Sequence, residues 1–140
     1  MTMQKLTPAL DAARQFRATA LEALRTRLAT NPIDSEQRAA HGFAWVATSV
    51  AALEAVHGWL EANGTANPLD AKVAELGFAE TIAQLVGGLP MGQNELFRPA
   101  DLGLGEAAAA LREAARDLVD ADQAGLRAEV ASALAEGQWP

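Results

Sequence analysis

The sequence predicts an all-α fold, a four- or five-helix antiparallel bundle, and three observations lead to that prediction. Alanine, the best helix former, supplies 33 of the 140 residues. Apolar residues recur at helical spacing in long segments that Asn, Gly and Pro separate. No segment has the alternation of a strand, so we expect none. A chain of this length has room for one core, and we expect residues 1–140 to form a single helical domain.

The first helix is expected from about Pro8 to Ala29. Thr7 is suited to the N-cap and Pro8 to the first helical position, where a missing N–H costs nothing. Asn31-Pro32 marks the end of the helix, because the residue before a proline avoids the α region.

The second helix is expected from about Ser35 to Ala62, with Asp34 or Ser35 as its N-cap. Its apolar arc is so wide that we interpret it as the buried central helix of the domain. Trp45 and Trp59 flank the apolar stripe, and we expect both to be core or interface residues.

The third helix begins at an Asn67-Pro68 pair, typical of an N-cap and first helical position, and ends at Gly87-Gly88. A long Gly/Pro-rich loop, residues 87–105, follows it. Loops of this length are uncommon in compact domains and are often functional. Because this one also carries large apolar residues, we expect it to pack against the bundle.

The last region, residues 106–136, has helical composition throughout. Asp120, Asp122 and Gly125 weaken its middle. We therefore expect two helices with a break near residues 120–123.

Composition and charge exclude several functional classes. Without cysteine the chain has no thiolate metal site and no cysteine nucleophile, and a cytoplasmic location is expected. The net charge of −7 argues against a nucleic-acid partner. The longest uncharged stretch, residues 42–53, is too short to span a bilayer, so no membrane partner is expected.

The charge is unevenly distributed. Residues 1–38 carry six basic and four acidic side chains, net +2, and the remaining residues are net −9. Intramolecular balance is the favoured interpretation, and a basic patch for an anionic partner is the alternative.

Few residues are placed for chemistry. Glu54 and His57 have the Glu-x-x-His spacing of carboxylate-bridged di-iron bundles, but those sites need a second such motif. His41 has Arg38 rather than a glutamate three residues before it, so we expect no metal site and no catalytic residues within this chain.

The glycine pair that ends the third helix has two interpretations. Gly87 and Gly88 stop a helix, which is the favoured reading, or they let a ligand or another backbone segment approach closely. The nearby Arg98 is suited to a phosphate or carboxylate in the second case.

The segment from Ala83 to Gly88 resembles the Gln-x-x-Gly-Gly signature of the C-terminal helical domain of acyl-CoA dehydrogenases. In that family this helix end lies at a subunit interface and helps to bind the adenine end of FAD. The resemblance therefore implies Gln84, Gly87 and Gly88 as candidate cofactor-binding positions.

A second resemblance extends further along the chain. Residues 40–48 (AHGFAWVAT), 77–80 (GFAE) and 87–95 (GGLPMGQNE) resemble the N-terminal helical extension of (2S)-methylsuccinyl-CoA dehydrogenase-like acyl-CoA dehydrogenase flavoproteins. With the flanking helices it covers roughly residues 35–136. In that family the extension precedes the catalytic core and is similar to its C-terminal bundle.

The resemblance implies a non-catalytic helical domain with a packing, assembly or active-site covering role. The parent enzyme type would dehydrogenate an acyl-CoA with FAD, and this chain alone would bind no cofactor and supply no catalytic group. Its implied partner is the acyl-CoA dehydrogenase catalytic core, and a homo-oligomer is also considered. The alternative is a stand-alone helical protein-interaction module.

Overall fold

A computed structural model of the protein describes residues 1–64 and 67–138 and confirms the all-α class. The described elements are α1 (Thr2–Leu28), α2 (Gln37–Asn63), α3 (Pro68–Gly87), β1 (Leu89–Pro90), β2 (Leu96–Phe97), α4 (Gly105–Ala114), α5 (Arg116–Val119) and α6 (Gln123–Ala135). Two 3-10 turns, Ile33–Ser35 and Pro99–Leu102, precede α2 and α4. The described part thus has six helices rather than four or five, because the C-terminal region breaks twice.

Helix α1 begins six residues earlier than expected, at Thr2, and Pro8 lies inside it. Tertiary contacts stabilise the extra residues. The Thr2 hydroxyl donates to Glu75 Oε1 over 2.7 Å, and Lys5 Nζ lies 3.3 Å from the other Glu75 oxygen. Leu6 is fully buried in the same stretch. These contacts outweigh the loss of one helical hydrogen bond at the proline.

Helix α2 starts two residues later than expected because the 3-10 turn Ile33–Ser35 occupies its predicted first turn. Its N-cap is Glu36 rather than Asp34 or Ser35, and no side chain caps it. Its end is as expected, since Gly64 has a φ of 70° and stops the helix after Asn63.

The expectation that α2 is a buried central helix is only half right. One face lies in the core, but Trp45 and Trp59 are 39% and 47% exposed. By length and composition alone α2 could cross a membrane, the one helix among residues 1–64 and 67–138 of which this is true. Only 28% of its apolar window is buried. The Glu54 carboxylate, midway along α2, is paired with two arginines of α1 and ties α2 to the bundle.

Helix α3 has the bounds that the sequence predicts. The Asn67 side chain accepts a hydrogen bond from Leu69 N at 3.0 Å, Pro68 is the first helical residue, and Gly87 is the last. Val73, although apolar, is half exposed. The residues that α3 buries are Leu69, Ala74, Phe78, Ala79, Ile82 and Leu85.

The expectation of no strand is wrong for the loop after α3. Strands β1 and β2 pair antiparallel, with Leu89 opposite Phe97 and Pro90 opposite Leu96. Each strand is two residues long, too short for an alternating pattern to be visible. The expectation that the loop packs against the bundle is confirmed, since six of its side chains are buried: Leu89, Met91, Phe97, Pro99, Leu102 and Leu104.

The predicted C-terminal break is confirmed at residues 120–122, and a second break at Ala115 separates α4 from α5. Asp122 caps α6 by accepting from Gly125 N at 2.9 Å. Helix α6 buries no residue fully. Its charged contacts are with α3, where Lys72 pairs with Glu129 at 2.8 Å and Arg127 pairs with Glu80.

One hydrophobic cluster joins α1 to α5 and the hairpin. Helices α1 and α2 run antiparallel, since the ion pairs Arg27–Glu36 and Arg14–Glu54 join successive levels of the two. The largest fully buried side chains are Phe16, Phe78, Phe97, Leu6, Leu10 and Leu60.

Candidate functional site

The two glycines at the end of α3, Gly87 and Gly88, have different surroundings. A Cβ at Gly87 would meet no other atom within 4 Å, and the residue is exposed. Gly88 has a φ of +153°, and a Cβ there would lie 2.6 Å from Leu96 Cδ2. Its N–H donates to the Gln84 carbonyl oxygen at 2.8 Å. Gly88 therefore ends the helix and also permits a close approach, but the approaching group is the chain's own hairpin.

The hairpin is anchored on α2 by a second glycine that the sequence reading missed. A Cβ at Gly42 would overlap three carbons of the Phe97 ring. Phe97 is 2% exposed, so its ring has little room to move. A glycine in a helix interior costs about 1 kcal/mol relative to alanine. A single glycine within a strongly helical segment, such as Gly42, indicates that another part of the chain packs closely against the helix backbone, and this signal could have predicted the contact.

Polar contacts also hold the hairpin against α2. Arg38 donates from Nη2 to the Leu96 carbonyl oxygen at 2.9 Å and lies 3.7 Å from Asp101 Oδ2. The Arg98 backbone N–H donates to Asp101 Oδ2 at 2.8 Å. The loop is therefore a fixed part of the fold.

The space around the candidate cofactor positions is shallow. Gln84 is exposed, and Gly87 lines an open cleft of about 500 Å³ whose rim carries Arg98 and Arg112. Next to Gly88 the Leu96 side chain lies close to the backbone, where an added Cβ would be 2.6 Å from Leu96 Cδ2. Contact of Gln84, Gly87 and Gly88 with the adenine end of FAD stays a prediction.

Glu54 and His57 contact different neighbours. Glu54 accepts from Arg14 Nε at 2.8 Å and from Arg17 Nη2 at 3.0 Å. His57 is 8% exposed, and its Nε2 lies 2.9 Å from the Thr7 hydroxyl. Among residues 1–64 and 67–138 no three His, Cys, Asp or Glu side chains cluster as a metal would need. Glu54 and His57 therefore join α2 to α1 through these contacts.

The arginine pair strongly perturbs Glu54. Hydrogen bonds from Arg17 and then Arg14 lower the pKa of the Glu54 carboxyl from 4.5 to about 2. A carboxyl whose pKa is lower in the folded state stabilises the fold above its unfolded pKa of 4.5. That contribution is lost as the pH falls through about 2.

We expect Glu54→Gln to destabilise the protein at pH 7 by about 1 kcal/mol, because the ionised pair is partly exposed. Urea unfolding of both proteins between pH 7 and pH 2 measures the difference. It should be constant above about pH 5 and shrink steadily toward pH 2, since protonated Glu54 resembles glutamine. A difference that stays constant down to pH 2 would refute the assignment.

The basic character of the first 38 residues is balanced within the molecule. Each basic side chain there has a carboxylate partner: Lys5 with Glu75, Arg14 and Arg17 with Glu54, Arg25 with Glu22, Arg27 with Glu36, and Arg38 with Asp101. This confirms the favoured interpretation over that of a patch for an anionic partner.

A second candidate surface is apolar and combines α2 with α3. We call it the α2–α3 face, made of Trp45, Val56 and Trp59 with Val73 and Gly77. Three of the large apolar residues in it, Trp59, Val73 and Val56, are 47%, 50% and 37% exposed. Patches of this kind mark interaction sites in compact proteins.

Part of the chain is similar in sequence to part of a known enzyme. No family model matches the chain. The chain is 36% identical over 111 residues to a (2S)-methylsuccinyl-CoA dehydrogenase from Cereibacter sphaeroides, an alignment that covers 71% of this chain and 20% of that relative. The chain thus spans about a fifth of the length of the curated relative that it matches. The sequence resemblance to part of an acyl-CoA dehydrogenase is thereby confirmed.

Proposed function

We propose that this chain acts as a non-catalytic helical domain of an acyl-CoA dehydrogenase-like flavoprotein, with a packing, assembly or active-site covering role. The observation that carries the proposal is the 36% identity to a part of such an enzyme that amounts to 20% of its length. On this proposal the reaction centre belongs to the four-fifths of the relative that this chain does not match.

The environment of the acidic side chains supports a structural role. Dehydrogenation of an acyl-CoA requires a base at the substrate α-carbon and a flavin that accepts hydride from the β-carbon. Glu54, Glu75 and Glu80 each face another helix and are paired there with arginine or lysine. These ion pairs join helices of the bundle, and for Glu54 the two arginines lower the pKa to about 2, which makes it poorly suited to accept a proton.

The proposed partner is the catalytic core of the enzyme, and FAD is proposed to belong to that core. Gln84, Gly87 and Gly88 are the positions from which the domain would contact the adenine end of that FAD. Gln84 and Gly87 are exposed and Gly88 is partly exposed.

A chimera tests this function. The matched region of the Cereibacter sphaeroides relative is deleted, or is replaced by this chain, and the products are compared by sedimentation. We expect the deletion to aggregate or to lose its native assembly and the chimera to regain it. A chimera that assembles no better than the deletion would overturn the proposal. A chimera carrying Leu134→Ala, an exposed position on α6, is the matched control.

The alternative function, a stand-alone interaction module, is favoured by the exposure of the α2–α3 face. Such a module would bind its partner without an acyl-CoA dehydrogenase core. The two functions therefore differ in whether the chain restores assembly to the relative.

A further inference from the structure

We propose that the α2–α3 face binds a second copy of this chain, in an antiparallel two-fold arrangement in which Trp45 of each copy enters a cleft of the other. The proposal is independent of the proposed function. A second copy is the proposed occupant because the face carries both an exposed aromatic side chain and an open apolar cleft of about 350 Å³.

Trp45 is an exposed aromatic residue on the side of α2 that the core leaves uncovered. Its side chain is 39% exposed, and Val56 and Trp59 on the same side are exposed as well. Its indole Nε1 donates to His41 Nε2 at 2.9 Å, one turn earlier in the same helix. The ring can therefore enter an apolar cleft without burying an unpaired donor.

The cleft lies farther along the same face. It has a volume of about 350 Å³ between Val56 and Trp59 of α2 and Leu69, Val73 and Gly77 of α3. We call it the socket. Gly77 contributes to its depth, because a Cβ at that position meets no atom within 4 Å. An open apolar cleft of this size is suited to one aromatic side chain.

Trp45 and the socket share one side of α2. Val56 follows Trp45 by 11 residues, which is about three helical turns, so the two side chains point in nearly the same direction. An antiparallel second copy, related by a two-fold axis near residues 50–51, places each Trp45 opposite Val56 of the other copy. Thr48 and Ala52 lie near that axis, and small side chains let two helices approach closely.

Charge is complementary in the same arrangement. Arg38 lies two turns before Trp45 on the same side of α2, and its side chain is 59% exposed while it also contacts Asp101 of its own copy. Asp70 lines the rim of the socket near the other end of the helix. The antiparallel arrangement brings each Arg38 toward Asp70 of the other copy, whereas a parallel one would bring like charges together.

The extent of the face is adequate for a dimer. From Arg38 to Ala62 it is roughly 35 Å long and roughly 20 Å wide across two helices. Complete contact would bury roughly 700 Å² on each copy, close to the roughly 800 Å² of a standard stable interface.

Analytical ultracentrifugation of the 140-residue chain tests the proposal. At roughly 100 µM, a dimer with a dissociation constant of about 1 µM would be almost fully formed. We expect about twice the mass of the 14.7 kDa chain. Trp45→Ala removes the inserted ring and Gly77→Leu fills the socket. Each should weaken dimerisation by at least about 30-fold, as for an interface hot spot. Leu134→Ala, which removes an exposed apolar side chain of α6, should leave it unchanged. Far-ultraviolet circular dichroism checks that every variant is folded.

Mixing the two variants tests the reciprocity of the contact. Trp45→Ala retains an open socket, and Gly77→Leu retains the tryptophan that fits it. In a dilution series the mixture should therefore associate more tightly than either variant alone. A monomeric wild-type chain at roughly 100 µM would overturn the proposal. So would a dimer that both substitutions leave equally tight, or a mixture that associates no more tightly than the separate variants.

Discussion

Replacing Gly42 with leucine should lower the free energy of unfolding by about 3 kcal/mol. A side chain at this position overlaps the Phe97 ring, which is buried between α2 and the hairpin. Either the ring leaves its place or α2 moves away from the loop. Both outcomes expose apolar surface and break the register between β1 and β2, so the loss should appear in stability and in hairpin protection alike.

Urea unfolding followed by circular dichroism measures this effect, and hydrogen exchange at the Met91 amide, which bonds the Glu95 carbonyl oxygen, reports on the hairpin. Gly58→Leu is the matched control, because it makes the same change in the same helix with no atom within 4 Å of the new Cβ. It should be neutral or stabilising, by up to about 1 kcal/mol from helix propensity. Equal effects at the two positions would contradict the packing argument.

Phe97→Ala should destabilise the protein by about 3–4 kcal/mol, because it removes one of the largest buried side chains and leaves a cavity. The same cavity lies where a leucine at position 42 would project. The double variant, Gly42→Leu with Phe97→Ala, should therefore be more stable than the sum of the two single effects predicts, by at least about 1 kcal/mol.

A double-mutant cycle built from the three variants and the wild type gives this interaction free energy directly. Phe16→Ala is the control for the second substitution, since Phe16 is equally buried on α1. Its effect should add to that of Gly42→Leu without coupling. Additive effects for Gly42 and Phe97 would show that the two positions do not share the same space.

The parts of the fold that the sequence predicts well are specified by local chemistry. Helix α3 has its predicted bounds because Asn67, Pro68 and Gly87 act within one turn of its ends. The start of α1 could not be predicted in this way. Thr2 is helical because it contacts Glu75, a residue 73 positions away that no local pattern reveals.

The candidate site likewise has features with a local sequence signal and features that depend on distant contacts. The glycine pair could be found as a helix end, and Gly88 has a φ of +153°, a value that favours glycine. That Leu96 occupies the space beside it depends on the hairpin, whose two-residue strands carry no periodicity. The exposure of Trp45 and Trp59 also could not be predicted from the sequence. Helical periodicity shows that a residue lies on an apolar face, but it does not show whether another element covers that face.

The turnover number of the chimera is the measurement that tests the central proposal most directly. We expect the Cereibacter sphaeroides relative, with its matched region replaced by this chain, to oxidise (2S)-methylsuccinyl-CoA at a rate within about tenfold of the intact enzyme, since the domain would position the core and supply no reacting group. Its rate should far exceed that of the deleted form. A chimera as inactive as the deletion, although correctly folded and assembled, would contradict a packing role and indicate that the matched region supplies a catalytic group.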